Sequence, residues 1–364
     1  MSAVRVTRHD SLRAMPPAWA SVFREQEGQR QFDQTLNWFE VFESHGLAAG
    51  ERVELCCVET AAQEPLLCLP LRAASARGLL APRLAHSLAS YYTSLFAPTC
   101  RVGTVDAAAF RAAVAATASN WDVLRLEPLD ATDAMTLDLE AALRAAGFLT
   151  QRYFKFGNWY LEVGGRSFDE YFRDLPSQVR NTVVRKQKKL KSESTARVEI
   201  VTAAALLPAA IAAYEEVYAS SWKTAEPFPH FVPRMMQAMA ERGWLRLGLV
   251  WLGSVPIAAQ IWIIKDGVAS IFKLAYKEEH ARLSAGSILT ATLMRHALDV
   301  DRVKVVDYLT GDDAYKKDWM SHRRERIGIV AANSKSLAGL TYAARYILPG
   351  TLRRRLRRGV PATP

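Results

Sequence analysis

Cysteine is scarce: four residues in 364, Cys56, Cys57, Cys68 and Cys100, with no Cys-x-x-Cys pair. That reads as reduced, buried thiols in a cytoplasmic chain in preference to metal ligands or disulfides. Cys56 and Cys57 adjoin within one strand-like run, so they should point to opposite faces. No apolar run approaches the ~18 residues that cross a bilayer. The opening Met1-Ser2-Ala3-Val4-Arg5-Val6 lacks a basic stretch followed by an apolar one, so no secretion leader is expected. There is no Ser-His-Asp set, zinc spacing, Walker loop or dinucleotide fingerprint, and no metal is expected.

What is present is ample for two cores. Half the residues are hydrophobic, and the length exceeds that of a usual single domain. The formal charge of +10 is concentrated in two runs. Residues 180–191 hold Arg180, Arg185, Lys186, Lys188, Lys189 and Lys191 without an acid; residues 345–358 hold Arg345, Arg353, Arg354, Arg355, Arg357 and Arg358 without an acid. Setting both aside takes the formal charge from +10 to −2. The body is therefore near neutral, which argues against a duplex-DNA coat.

Along the first half, residues 4–7 predict a strand, and residues 18–23 and 35–42 short helices, the second with Leu36, Phe39 and Phe42 on one side and Trp38 beside them. Residues 52–59 and 65–72 predict a hairpin. Residues 77–95 are irregular and contain Tyr91-Tyr92, read either as a packed loop pair or as a lining of a cleft. Helices are expected over 106–119 and 131–146, the latter ended by Gly147, and strands over 121–127 and 148–153.

The second half opens with a strand at 159–163 and a short helix at 169–174. Pro176-Ser177 then starts the basic helix, with Val179, Val183 and Leu190 on its buried face. Its charges read equally as a solvated face or as a site for a phosphate, tRNA or anionic lipid. Pro208 suits a first helical turn, after which Leu207, Ile211, Tyr214, Tyr218 and Trp222 recur at helical spacing. Another helix is expected over 231–241, stopped by Gly243. Three strands follow, 245–252, 255–264 and 268–276, joined by Gly253-Ser254 and Lys265-Asp266-Gly267 turns suited to antiparallel hairpins.

The chain is organised around residues 268–319. A strand, the turn Arg282-Leu283-Ser284-Ala285-Gly286-Ser287, an apolar helix over 288–300, a strand over 303–309 and Gly311-Asp312-Asp313-Ala314-Tyr315-Lys316-Lys317-Asp318-Trp319 follow one another. A helix start offers free N–H groups and a positive dipole end to an anion, and Ser284 is placed to cap it. Ala275-Tyr276, Ala281-Arg282-Leu283-Ser284-Ala285-Gly286 with Leu289, and 307–316 with Trp319 resemble the closing motif of the FemAB-like, two-domain branch of the GNAT acyltransferases.

That resemblance implies an α/β (α+β) fold of two tandem GNAT-like domains, each a mixed, mostly antiparallel sheet flanked by helices. Residues 1–155 would be a degenerate first domain, 156–333 the acyltransferase domain, and 334–364 a helical, basic tail. It implies acyl-CoA in a gap between the fourth and fifth strands of that domain. Pantetheine would lie against Leu274 and Tyr276, and pyrophosphate on Arg282, Ser284, Ala285, Gly286 and Ser287. Tyr315 would be the acid that protonates the thiolate, with Asp307 as base or orienting group and Lys316 meeting the acceptor or developing charge. Arg180, Trp222, Gln260, Lys273 and Asp312 are candidate substrate contacts, Asp312 alternatively a helix cap. Spacing in the turn departs from the usual GNAT pattern: Arg282 and Gly286 are separated by three residues and Ser287 follows directly. Some members of the Fem branch that share this turn take aminoacyl-tRNA. The implied activity is acyl transfer to an amine acceptor, such as an amino sugar of a nucleotide-linked or surface-polysaccharide precursor. Fem-type transfer from charged tRNA and a non-catalytic GNAT-like binding protein are the alternatives. The basic tail implies an anionic membrane surface as a further partner, at the cytoplasmic face.

Overall fold

The structure, a computed structural model, describes residues 4–74, 81–100, 107–118 and 120–349. The chain divides into two compact units. One runs to Phe156 and resumes at Glu325; the other is Gly157–Arg324.

The first unit begins with β1 (Val4–His9), α1 (Pro17–Glu25) and α2 (Leu36–His45), with Thr35 capping α2 through the Trp38 N–H. The hairpin β2 (Glu51–Thr60) and β3 (Pro65–Ala74) follows, antiparallel, with Cys57 opposite Cys68. Within the stretch expected to be irregular lies β4 (Leu84–Ser87), antiparallel to β3. Then come β5 (Thr99–Cys100), α3 (Ala107–Ala118), β6 (Val123–Asp130), α4 (Ala134–Ala145) and β7 (Phe148–Glu162), whose residues from Gly157 on belong to the second unit. The two strands predicted at 148–153 and 159–163 are this one strand. α4 is capped by Asp133, and Gly147 takes φ +94° where a left-handed residue ends it. Tyr91 and Tyr92 pack ring on ring at 4.1 Å.

The second unit contains α5 (Phe168–Asp174), opened by a Ser167/Glu170 capping box, and the basic α6 (Ser177–Ser192), with Val183 and Leu190 buried. An edge strand that the sequence pattern missed, β8 (Ala196–Val201), comes next. α7 (Leu207–Ala219) and α8 (Phe231–Glu241) precede the meander β9 (Leu245–Leu252), β10 (Val255–Lys265) and β11 (Val268–Tyr276). α9 (Ala285–Arg295) continues as a wider turn, His296–Val300, and leads to β12 (Val305–Asp307). The sheet order here is β7-β12-β11-β10-β9-β8, antiparallel except for β11 with β12. Gly248 on β9 has no Cβ where one would come within 2.8 Å of Leu293, so α9 packs closely on the sheet.

β13 (His322–Asn333) and α10 (Leu337–Tyr342), which continues as Ala343–Ile347, are the last elements among the described residues. From Arg326 on, β13 pairs antiparallel with β6, with Ile327 and Ile329 in the first core. Residues 325–333, assigned by sequence to the second domain, thus lie in the first unit. Residues 334–349 pack there too, rather than forming a separate tail; Arg353, Arg354, Arg355, Arg357 and Arg358 lie outside the described residues. The fold is mixed α/β, with mostly antiparallel sheets flanked by helices. Among the described residues no helix is long and apolar enough to cross a membrane, and no metal-binding group of three occurs.

Candidate active site

β11 and β12 pair over only three residues, Val268 with Val305, Ala269 with Val306 and Ser270 with Asp307. β12 then stops and Leu309 turns away at φ +53°, whereas β11 continues to Tyr276. Residues 271–276 therefore present an edge to which β12 gives no main-chain partner. Phe272 is the extra residue of a bulge, since Ile261 faces Lys273 and Trp262 faces Ile271.

β11 leads straight to a short helical turn, Glu278–Leu283, and to α9. Ser284 does not cap α9 as expected. It sits at φ +52°, ψ 39°, and its hydroxyl makes no capping bond. The left-handed residue instead swings the chain between the two helical directions, leaving the first N–H groups of α9 at the helix start. The Lys186 ammonium, on the basic α6, donates to the Arg282 carbonyl at this turn. Gly286 is clear: an added Cβ would meet only Tyr276 Cδ1, at 3.4 Å.

Gln260 was a candidate substrate contact; it is 1% exposed and fully used in structure. Its Nε2 donates to the Gly286 carbonyl at 2.9 Å and Thr290 Oγ1 at 2.7 Å, and its Oε1 accepts from Trp262 Nε1 at 2.9 Å. Lys273 is likewise occupied, paired with Glu226 at 2.6 Å and lying 5.5 Å over the Tyr218 ring. Arg180 donates to the Arg173 carbonyl at 3.0 Å, closing the end of α5. Trp222, by contrast, is 47% exposed and lies against Tyr276 with ring centroids 4.5 Å apart.

The turn after β12 is held by a network the sequence did not disclose. Asp307 accepts from Asn158 Nδ2 at 2.6 Å, from the Leu309 N–H at 2.7 Å and from the Arg324 guanidinium. Arg324 also donates to Asn158 Oδ1 at 2.6 Å. Three donors converge on this buried carboxylate, which suits an orienting group. Asp312 does not cap the following turn, Ala314–Asp318, whose cap position is held by Asp313. It accepts from Arg323 and, at 2.7 Å, from Trp159 Nε1, and these bonds hold its carboxyl below the usual range.

Tyr315 is 43% exposed and packs edge-on to Tyr308, with centroids 5.9 Å apart. Burial, helped by Asp313, pushes its phenol above the ordinary tyrosine value. Lys316 is buried beneath the turn, donating to the carbonyls of Thr310 and Gly311 and pairing with Asp313 at 3.1 Å. Burial lowers the pKa of Lys316, and likewise of Lys273 and Lys223. Asp313 acts on Lys316, Glu226 on Lys273, and both on Lys223. Lys223, which sequence reasoning passed over, makes no ion pair among the described residues and lies 5.3 Å from the Trp222 ring centroid.

Residues 177–317 match the family described as an acetyltransferase (GNAT) domain. The fold is similar to the crystal structure of FemX, at 12% identity and a TM-score of 0.62, over 93% of this chain and 99% of that one. It is also similar to the C-terminal domain of a putative lysylphosphatidylglycerol synthetase from Agrobacterium fabrum, at 10% identity and a TM-score of 0.53, over 90% of this chain and 96% of that one. A tandem GNAT protein from the clavulanic acid biosynthesis pathway aligns at 10% identity and a TM-score of 0.51, over 90% and 98% of the two chains. No curated protein matches the sequence.

Proposed function

From the FemAB-like, GNAT-superfamily fold of this acyltransferase chain, we propose that it transfers an acyl group from acyl-CoA to an amine, with an amino sugar of a nucleotide-linked or surface-polysaccharide precursor as acceptor. One observation carries this: the edge of β11 over residues 271–276 has no partner from β12 and leads, through the short turn Glu278–Leu283, to the start of α9, where Gly286 is clear of side chains other than Tyr276. The pantetheine amides would pair with that edge as a strand does. The pyrophosphate would take the N–H groups at the helix start, with Arg282, Ser284, Ala285 and Ser287 around it.

The amine forms the new C–N bond as the thioester C–S bond breaks. Tyr315 gives its proton to the departing thiolate, and a phenol with a raised pKa stays protonated for that task at neutral pH. With Asp307 taken up by three donors, the ammonium proton leaves through water. Lys316 and Asp313 hold the turn that carries Tyr315. Lys223 receives an anionic group of the acceptor, such as a nucleotide phosphate, and Trp222 stacks on its ring.

A second reading, aminoacyl transfer from charged tRNA, is favoured by exposed Arg185, Lys188, Lys189 and Lys191 on α6, adjoining the turn through Lys186. Thermal-shift measurements with acyl-CoAs of graded chain length, paired with thiol-release assays on an amine panel, separate the two. A ligand at ~100 times its dissociation constant adds about 2.7 kcal/mol. Stabilisation by tRNA alone, weakening with salt, would favour the second reading. Acyl-CoA binding without thiol release on any amine would point to a non-catalytic protein.

A further inference from the structure

α10 and its continuation Ala343–Ile347 rest on the first unit by one face only. The Ser336 hydroxyl accepts the Gly339 N–H at 3.0 Å and donates to the Asp122 carboxylate at 2.6 Å, fixing the start of the helix. Gly339 lies so close that an added Cβ would meet the Asn333 carbonyl at 2.2 Å. Ala343 and Ile347 are buried with Val123, Val330 and Ala332. The orientation is thereby set, and the outer face is defined.

That outer face is mostly apolar, with exposed Thr341 the polar residue between the leucines. Leu337 is 78% exposed, Leu340 45% and Leu348 50%. With exposed Ala344 they recur at spacings of three, four and four, a single stripe along the helix. Exposed Arg345 adjoins it, and residues 336–364 contain six arginines and neither Asp nor Glu. An apolar stripe alone would suit a protein partner as well as a membrane. An uncompensated run of cations directly after it selects a surface that presents hydrocarbon and dense negative charge together, which is an anionic bilayer.

We propose that this helix docks in the plane of an anionic bilayer surface. Leu337, Leu340 and Leu348 enter the boundary between headgroups and acyl chains, and Arg345 with the following arginines meets lipid phosphates. Apolar and basic elements are both required, since neither alone gives stable anchoring. This places the acyltransferase beside acceptors carried on lipid, and it does not depend on which acyl donor is used.

The test is sedimentation of the full chain with vesicles of phosphatidylcholine alone and of phosphatidylcholine and phosphatidylglycerol at three to one. Binding is expected to the second composition, weakening as salt screens the arginines. Two variants decide the mechanism: Leu337→Ser/Leu340→Ser/Leu348→Ser, and a chain ended after Pro349. Each should bind about tenfold more weakly or worse, since both apolar burial and basic charge are needed. Melting temperature and acetyl-CoA binding should stay at wild-type values, because the substituted leucines are exposed. Leu137→Ser, at another exposed leucine, should bind vesicles as wild type does. The proposal is overturned by failure to sediment with anionic vesicles, by equal binding to phosphatidylcholine alone, by full binding of either variant, or by binding to RNA in place of vesicles.

Discussion

Gln260 Nε2 donates to the Gly286 carbonyl at 2.9 Å, tying the middle strand of the meander to the first turn of α9. The same side chain also holds Thr290 Oγ1 and Trp262 Nε1, so one buried amide fixes the strand, the helix start and the strand's own tryptophan. Gln260→Leu would orphan the Trp262 N–H in the core. Equilibrium denaturation should show a loss of about 1–3 kcal/mol, the cost of an unsatisfied buried group. Acyl-CoA affinity should fall as well, because the turn loses its anchor. An unchanged denaturation midpoint would mean the amide is dispensable.

Tyr315→Phe should fold and bind donor normally but turn over about 100-fold more slowly, as expected when a general acid is lost. Because the phenol is pushed above its ordinary value, it remains protonated as pH rises through neutrality. The wild-type pH profile should therefore show no alkaline loss from this group until above pH ~10. Wild-type turnover in the variant would move the acid to a bound water or another phenol.

Lys223→Ala should raise KM for the acceptor about tenfold or more with little change in kcat, the pattern for lost uniform binding of a charged group. Lys223→Arg should recover much of the loss. An equal fall in kcat would place Lys223 in the chemistry instead.

The outline of the second unit was legible because its signals are local. Gly253-Ser254 and Lys265-Asp266-Gly267 made the meander, and the apolar period after Gly286 made α9. What escaped depends on distant partners. β4 is four residues that count as a strand because β3 and β6 flank it. β8 is an edge strand without a strong alternation. Asn158 gains its role from Asp307, 149 positions away. Gln260 and Lys273 carry polar groups beside the proposed site, yet burial and three-dimensional neighbours turned both inward. Ser284 has the residue type of a cap, but the backbone there needed a left-handed turn.

The first unit holds two groups whose titrations oppose each other. Burial raises the Asp33 carboxyl to about 6, despite N–H donors from Ser94 and Leu95, and lowers His86 to about 4. A raised carboxyl contributes stability that is present at low pH and lost as pH rises through about 6. A depressed histidine does the reverse: its contribution is present above its ordinary value and lost as pH falls toward about 4. Asp33→Asn should remove the first, worth on the order of 2 kcal/mol, and steepen the loss of stability in acid. Denaturant midpoints measured between about pH 4 and 7 check this. A pH profile unchanged by the substitution would show that Asp33 does not titrate with folding.

The central claim is that acyl-CoA lies along residues 271–276 with its pyrophosphate at the start of α9. Isothermal titration of acetyl-CoA into wild-type protein and Gly286→Glu tests it directly. Glutamate adds bulk and like charge where phosphate would approach the backbone, while a Cβ there meets only Tyr276 at ordinary contact distance. The account predicts one donor bound per chain in the wild type, no measurable binding in the variant, and nearly equal melting temperatures. Undiminished acetyl-CoA affinity in a folded Gly286→Glu protein would contradict it.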